Sequence, residues 1–312
     1  MSYATASWLS LGEGSTPLVH APRLTESLGV EVFLKCDGLN PTGSFKDRGM
    51  AVAVERAATR GARAVVCAST GNTAASAATY AARAGLEAVV LTPQGATATA
   101  KRAQAHAAGA RVLEVRGSFD DALRLCRELA QHDGYVLVNS LNPDRIDGQK
   151  SVVAEILEQL GRAPDAIALP YGGGGNVSAV AAGCLEAGIE PSLVVGQAAE
   201  RNTTFASAIR IGEPAHRANV EAMIAAGRVR AVTLSDDELR SAWIRLGREE
   251  GVFCEPASAA GVAGLEHAGL EPGARVVCVI TGHGLKDPET AARLTPPPVA
   301  VDPDADAIAA LV

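Results

Sequence analysis

Eight short apolar runs recur along the chain, at 31–36, 63–67, 87–91, 111–115, 135–138, 166–170, 193–197 and 275–280. Each is nearly continuous in apolar character rather than alternating. Strands buried on both faces read this way, as in a parallel sheet. Helical periodicity fills the stretches between them and predicts helices over 48–60, 72–84, 97–108, 120–132, 147–160, 176–187, 237–249 and 257–267. Gly61, Gly85, Gly109, Gly161 and Gly188 follow helical stretches and fit the position just past a helix end. Strand and helix alternate, which argues for an α/β architecture. After Leu294 the pattern stops. The segment TPPPVAVDPDADAIAALV reads as a proline-rich arm and then a short helix capped by Asp302 or Asp304, expected to pack on the body.

Composition narrows the class. A chain of 312 residues has room for two domains or one large one. Hydrophobic residues make up 47% and aromatics only 4%, so the core is built from Ala, Val, Leu and Ile. The formal net charge is −7 with no basic stripe, which argues against nucleic-acid binding. Six cysteines are scattered with no CxxC or Cys/His cluster, so neither a structural zinc site nor a redox pair is suggested. A reduced, cytoplasmic protein is the expectation. The first residues, MSYATASWLSLGEG, have no basic start and no apolar run, unlike a signal peptide. No apolar run is long enough to span a membrane.

Parallel sheets collect ligands at the carboxyl ends of their strands, so the loops there carry the chemistry. Three stand out. Ala68-Ser69-Thr70-Gly71-Asn72-Thr73 opens a helix with hydroxyls and free amides, an anion seat or an ordinary N-cap by Ser69 or Thr70. Gly172-Gly173-Gly174-Gly175-Asn176 spends four glycines where a turn needs one or two, which suits close backbone approach to a phosphate. It is neither G-x-G-x-x-G nor a P-loop, because Val177 and Ser178 stand where the last glycine should be and no Lys-Ser/Thr follows. Thr281-Gly282-His283-Gly284-Leu285-Lys286 places a hydroxyl at a strand end. His283 is an acid or base, or a structural residue, and the structural reading is favoured.

Lys46, in NPTGSFKDRGM, stands where a helix begins and the dipole disfavours a cation. Beside a phosphate cradle and with no metal cluster, such a lysine suggests a Schiff base to pyridoxal phosphate. No G-x-S-x-G elbow is present to suggest a hydrolase of that kind.

Taken together and in order, residues 11–18, 40–50, 69–73, 139–149, 255–259, 281–288 and the glycine loop resemble the threonine synthase family. The resemblance runs nearly end to end. That family belongs to the tryptophan-synthase-β-like, fold type II enzymes. It implies two three-layer α/β domains with mostly parallel sheets and pyridoxal 5'-phosphate in the cleft between them. The large domain would be 1–46 plus 140–312, and the small mobile one 47–139. The implied reaction converts O-phospho-L-homoserine and water into L-threonine and phosphate, a β,γ-replacement. The resemblance makes Lys46 the catalytic and cofactor-holding residue, preceded by Phe45. It places Asn72 on the cofactor's ring hydroxyl, Gly172, Gly173, Gly174, Gly175 and Asn176 on its phosphate, and the neutral hydroxyl of Thr281 on its ring nitrogen. Ser69, Thr70 and Thr73 would seat the substrate's carboxylate or phosphate, and Ser140 and Arg145 its phosphate. Without the resemblance, Arg145 reads as a surface arginine. A symmetric homodimer is the default oligomer.

The chain departs from the family at three places. Its glycine loop usually reads Gly-Asn-Ala-Gly-Asn, so Gly173 stands where an asparagine is expected. All-glycine loops resemble those of serine/threonine dehydratases. Ala96 follows Pro93-Gln94-Gly95 where a basic residue often stands, and 197–208 looks shorter than usual. A dehydratase, or a β- or γ-replacement enzyme of specialised metabolism, is therefore the second reading. A non-catalytic pyridoxal phosphate carrier is the third, against which intact Lys46 argues.

Overall fold

The computed structural model describes residues 7–95, 99–303, 305–309 and 311. The chain opens with β1 (Leu18–His20), α1 (Pro22–Leu28), β2 (Glu31–Lys35) and α2 (Lys46–Thr59). It continues through β3 (Ala64–Ala68), α3 (Asn72–Ala84), β4 (Glu87–Pro93), α4 (Thr99–Ala107), β5 (Arg111–Val115), α5 (Phe119–Leu129) and β6 (Tyr135–Leu137). Then come α6 (Pro143–Gln149), α7 (Ser151–Leu160), β7 (Ala166–Pro170), α8 (Gly175–Glu186), β8 (Ser192–Ala198), α9 (Arg217–Ala225) and β9 (Val229–Leu234). The last elements are α10 (Asp236–Arg248), α11 (Ala260–Leu265), β10 (Arg275–Val279), α12 (Pro288–Leu294) and α13 (Ala305–Ala309).

Two sheets result. One runs in the order β1-β2-β10-β7-β8-β9, with β1 antiparallel to β2 and every other pairing parallel. The other runs β5-β4-β3-β6 and is parallel throughout. The larger sheet is covered on both faces. Val276 and Cys278 pack with residues of α10 and α11, while their neighbours Val277 and Val279 pack with residues of α7 and α8. In the smaller sheet Val65 and Cys67 pack with α2 and α3, and Val66 and Ala68 pack with α5. Two covered faces leave little room for a polar side chain in the inner strands, which is why these read as nearly unbroken apolar runs.

All eight predicted strands form, and the five glycines named above take positive φ. Four differences stand out. β1 and β9 were not predicted, because both are edge strands with solvent-facing positions that break the apolar run. The expected helix 147–160 is two helices, and the first begins four residues earlier, where Asn142 caps the amide of Asp144. The expected helix 257–267 is a 3-10 turn over Pro256–Ala259 followed by α11. Residues 295–303 are exposed rather than packed on the body. Positions 97 and 98 of the predicted helix 97–108, and the candidate cap Asp304, lie outside the described residues, as does Ala96.

A buried ionic network fixes α2 to the larger sheet. Arg48 is 3% exposed and Asp37 is 1% exposed. The Arg48 guanidinium donates through Nε and Nη2 to the two Asp37 carboxylate oxygens at 2.9 and 2.8 Å. It also pairs with Glu155 of α7, which in turn holds Lys35 of β2 at 2.7 Å. Burial opposes the Glu155 charge, but hydrogen bonds and attraction from Arg48 and Lys35 outweigh it and hold the carboxyl down at about 2. Breaking a buried pair by removing one partner is strongly destabilising. Asp37→Ala is expected to lower folding stability by about 3 kcal/mol or more, read as a drop in the urea midpoint. The same melts should show an acid limb. The stabilisation from Glu155 is full above its ordinary value of 4.5 and is lost as pH falls toward 2.

Candidate active site

Loops from the carboxyl ends of β3, β7 and β10 supply the three segments that the sequence singled out. The turn carrying Lys46 is fastened to the third. The amide of Phe45 donates to the Thr281 carbonyl at 2.9 Å, and the His283 amide donates to the Gly43 carbonyl at 2.9 Å. Gly38 backs this junction, where a Cβ would come within 2.6 Å of the His283 nitrogen. His283 takes the structural role expected of it. Its Nδ1 accepts from the Leu285 amide at 3.2 Å and its ring meets Phe253 edge-on. Asp47, fully buried, secures the turn by accepting from the Thr42 amide, the Thr42 hydroxyl and the Ser76 hydroxyl, each at 2.6 Å.

Lys46 is the first residue of α2, and its Nζ lies 4.0 Å from the Phe45 ring centroid. Burial is the main force on this amine, repulsion from Arg145 adds to it, and attraction from Glu255 opposes both. The result is a pKa lowered from 10.5 to about 7. Asn72 is the first residue of α3 and is buried. Its Nδ2 donates to Glu255 Oε2 at 2.7 Å, and its Oδ1 has no partner. Thr281 is buried, with its hydroxyl 3.0 Å from that of Ser258, which accepts from the Gly282 amide at 2.9 Å.

The glycine loop leads into α8. Gly174, at φ +84°, is its N-cap. The first amides of a helix have no partner within it, so they are free to meet an anion. The Gly173 carbonyl accepts from the His216 amide at 3.0 Å, and His216 Nε2 lies 2.9 Å from the Ser140 carbonyl. A Cβ on Gly175 would stand 3.1 Å from that of Ser140. Ser140 is therefore brought to the glycine loop.

The N-cap of α3 is Gly71 rather than Ser69 or Thr70, and the Ser69 hydroxyl, two residues earlier, accepts from the amides of Gly71 and Ala74 at 3.1 and 3.2 Å. Thr70 and Thr73 flank Asn72 at the same helix start and are half-buried. Arg145 is not a surface residue. It is 1% exposed on α6, and its Nη1 donates to the Val138 carbonyl at 2.8 Å. Its Nε and Nη2 have no partner, and burial lowers its pKa to about 10. The sequence reading quoted the 255–259 stretch without assigning Glu255, which is 1% exposed. A lone carboxylate in the apolar context Cys-Glu-Pro-Ala-Ser-Ala was the available signal.

Native proteins pair nearly all buried polar groups. Among the described residues, the unpartnered buried side-chain atoms are Ser44 Oγ, Asn72 Oδ1, Arg145 Nε and Nη2, Gln149 Oε1 and Asn176 Nδ2. All belong to residues of this site or their immediate neighbours. Gln149 is one such neighbour, since its Nε2 and Arg145 Nε both crowd the same face of Gly49. Together with a readily neutralised amine and a glycine cradle, they fit a small anionic aldehyde such as pyridoxal phosphate.

Comparison with known proteins agrees. The model for the pyridoxal-phosphate dependent enzyme family matches residues 9–282. Threonine synthase from Mycobacterium leprae is 47% identical over 94% of this chain and 88% of its own length. Threonine synthase from Synechocystis is 45% identical, covering 91% of this chain and 80% of that one. The crystal structure of diaminopropionate ammonia lyase from Escherichia coli superposes with a TM-score of 0.80 at 18% identity, over 92% of this chain and 88% of that one, a likeness of fold alone. The chain belongs to the pyridoxal-phosphate dependent enzymes of fold type II and, among them, to the threonine synthase family.

Proposed function

We infer that this protein is a threonine synthase, converting O-phospho-L-homoserine and water into L-threonine and phosphate. The observation that carries the reading is the pairing of a Lys46 amine lowered to about 7 with a buried Arg145 whose Nε and Nη2 lack partners. Pyridoxal phosphate, when bound, supplies the electron sink that acidifies the Cα–H of an amino acid. Lys46 holds the cofactor and its Nζ takes the Cα proton. With a pKa of about 7, about half of this amine is neutral at pH 7, against less than about 0.1% for an ordinary lysine. The free nitrogens of Arg145, with Ser140, receive the substrate phosphate and its growing charge as it leaves, a task suited to a planar fork of donors. Ser69, Thr70 and Thr73, with the first amides of α3, seat the substrate's anionic end.

The cofactor phosphate is assigned to Gly172, Gly173, Gly174, Gly175 and Asn176, where the start of α8 favours negative charge. Asn72 is assigned to the ring hydroxyl, Phe45 to the cofactor's edge beside Lys46, and Thr281 to the ring nitrogen. The Thr281–Ser258 hydroxyl pair carries no charge, so it does not hold that nitrogen protonated. Residues 47–139 are proposed as a small domain that closes against 1–46 plus 140–312 to exclude water, with α2, held by the Arg48 network, as the fixed side about which the rest turns. The separate sheets support this division, with Leu9 of the N-terminal segment packing into the smaller sheet's core. A homodimer in the cytoplasm completes the reading. Six buried free thiols suit a reducing compartment. Among the described residues no helix is long and apolar enough to cross a membrane.

Gly173 favours a second reading, a lyase of the dehydratase kind. The unpartnered Arg145 nitrogens support the first reading instead, because a substrate without a phosphate leaves a buried guanidinium unpaired, at a cost of about 1–3 kcal/mol or more.

Loaded protein given O-phospho-L-homoserine should release phosphate and threonine in equal amounts. Phosphate without threonine, or no turnover, would favour the second reading. Lys46→Ala is expected to abolish the visible absorption that the wild-type protein shows with its cofactor. Arg145→Ala should keep that absorption and lose at least about 30-fold in kcat/KM, the factor for ~2 kcal/mol.

A further inference from the structure

Four glycines in a row have no side chains with which to hold themselves in one shape, and each costs about 0.5–1 kcal/mol of order relative to alanine. Something outside the loop must set its peptide planes. In a trans peptide the carbonyl and the following amide point in opposite directions. Fixing a carbonyl on the outside of the loop therefore turns the next amide inward. The structure does this twice in succession. The Gly173 carbonyl is taken by the His216 backbone amide at 3.0 Å, which sets the Gly174 amide. The Gly172 carbonyl is taken by Arg201 Nη1 at 3.3 Å, which sets the Gly173 amide.

Arg201 is itself well held. Its Nη1 also donates to the Ile211 carbonyl at 3.4 Å, and its Nη2 donates to Gln197 Oε1 at 2.5 Å. Gln197 Nε2 donates to the Thr233 hydroxyl at 2.9 Å, which fixes the orientation of its amide group. The guanidinium lies 4.4 Å from the Tyr171 ring centroid, directly before the loop. A chain of contacts thus runs from β9 through the end of β8 to the first glycine. Arg201 comes from the segment 197–208, which the sequence marked as shorter than usual and to which no role was given. A Cβ on Gly173 would meet only Ile211 Cδ1, at 3.6 Å.

We propose that Arg201 is the positioning residue of the glycine loop, taking up the Gly172 carbonyl from outside so that the Gly173 amide stays turned toward a bound phosphate. This rests on the reading of the loop as the seat of the cofactor phosphate. The role assigned to Arg201 is exerted through the loop, by its bond to the Gly172 carbonyl.

The test titrates full-length, cofactor-stripped protein with pyridoxal phosphate and, separately, with pyridoxal, following visible absorbance. Both compounds can bond to Lys46, so the ratio of their affinities isolates the phosphate. Arg201→Ala is expected to cut that ratio about tenfold or more while leaving pyridoxal affinity unchanged, the factor for one charge-assisted hydrogen bond. Arg201→Lys should lose most of it too, because a point charge cannot hold two carbonyls and Gln197 in one plane. An Arg201→Ala protein with the full wild-type ratio would overturn the proposal. So would an equal loss for both compounds, which marks a merely structural role, or full retention in Arg201→Lys, which marks a distant charge effect. If the wild-type protein shows no preference for the phosphorylated compound, the phosphate-seat reading itself fails, and the proposal with it.

Discussion

Lys46 is an amine withdrawn from water and set near a guanidinium, and burial and that repulsion both disfavour its proton. Such a group is stable only if the surrounding scaffold holds it in place. Two residues on, Arg48 locks α2 to Asp37 and Glu155. One residue on, Asp47 ties the preceding turn to α3 through Ser76. One residue before, the Phe45 amide is fixed to the Thr281 carbonyl. The four residues 45–48 thus join both sheets and the third loop, with the reactive nitrogen among them. Burial imposes most of the imbalance, Arg145 adds to it and Glu255 limits it.

The position at a helix start has a related logic. Lys46, Asn72 and Gly175 are the first residues of α2, α3 and α8. These helices are 14, 13 and 12 residues long, and the start of each carries partial positive charge. Such starts favour anions and disfavour an ammonium. One arrangement thus serves both the phosphate-bearing ligands and a neutral lysine. Parallel sheets provide it as a matter of course, since each strand's carboxyl end feeds a helix amino end.

What the sequence made legible follows from how local each cause is. The inner strands β3, β4, β7, β8 and β10 could be read because both of their faces are covered, so burial left a continuous mark on the chain, while β5 was legible from its apolar residues although it is largely exposed. β9 could not, because Arg230 and Thr233 face solvent and break its apolar run. The loops were visible because four glycines and a hydroxyl-rich helix start are local signals. Glu255 and Arg201 were missed because their meaning is made by distant partners. Glu255 meets Asn72 across 183 positions, and Arg201 meets Gly172 across 29. Arg145 shows the same limit. In sequence it is an ordinary arginine between two aspartates, and only the packing of α6 against α2 takes it out of water. Ser69 goes the other way, since its hydrogen bonds to the amides of Gly71 and Ala74 are entirely local.

The chemistry of the site turns on the protonation of one nitrogen, which can be measured directly. The chain has five lysines, at 35, 46, 101, 150 and 286, so labelling can be followed peptide by peptide. Cofactor-free protein would be pulsed with an amine-selective reagent from pH 5 to 10. Lys150, paired with Asp147 and Glu186, serves as the internal reference. The account expects Lys46 reactivity to rise with a midpoint near 7, well below that of Lys150. A midpoint for Lys46 close to that of an ordinary lysine would contradict it, and with it the claim that this site is built around an amine kept ready to take a proton.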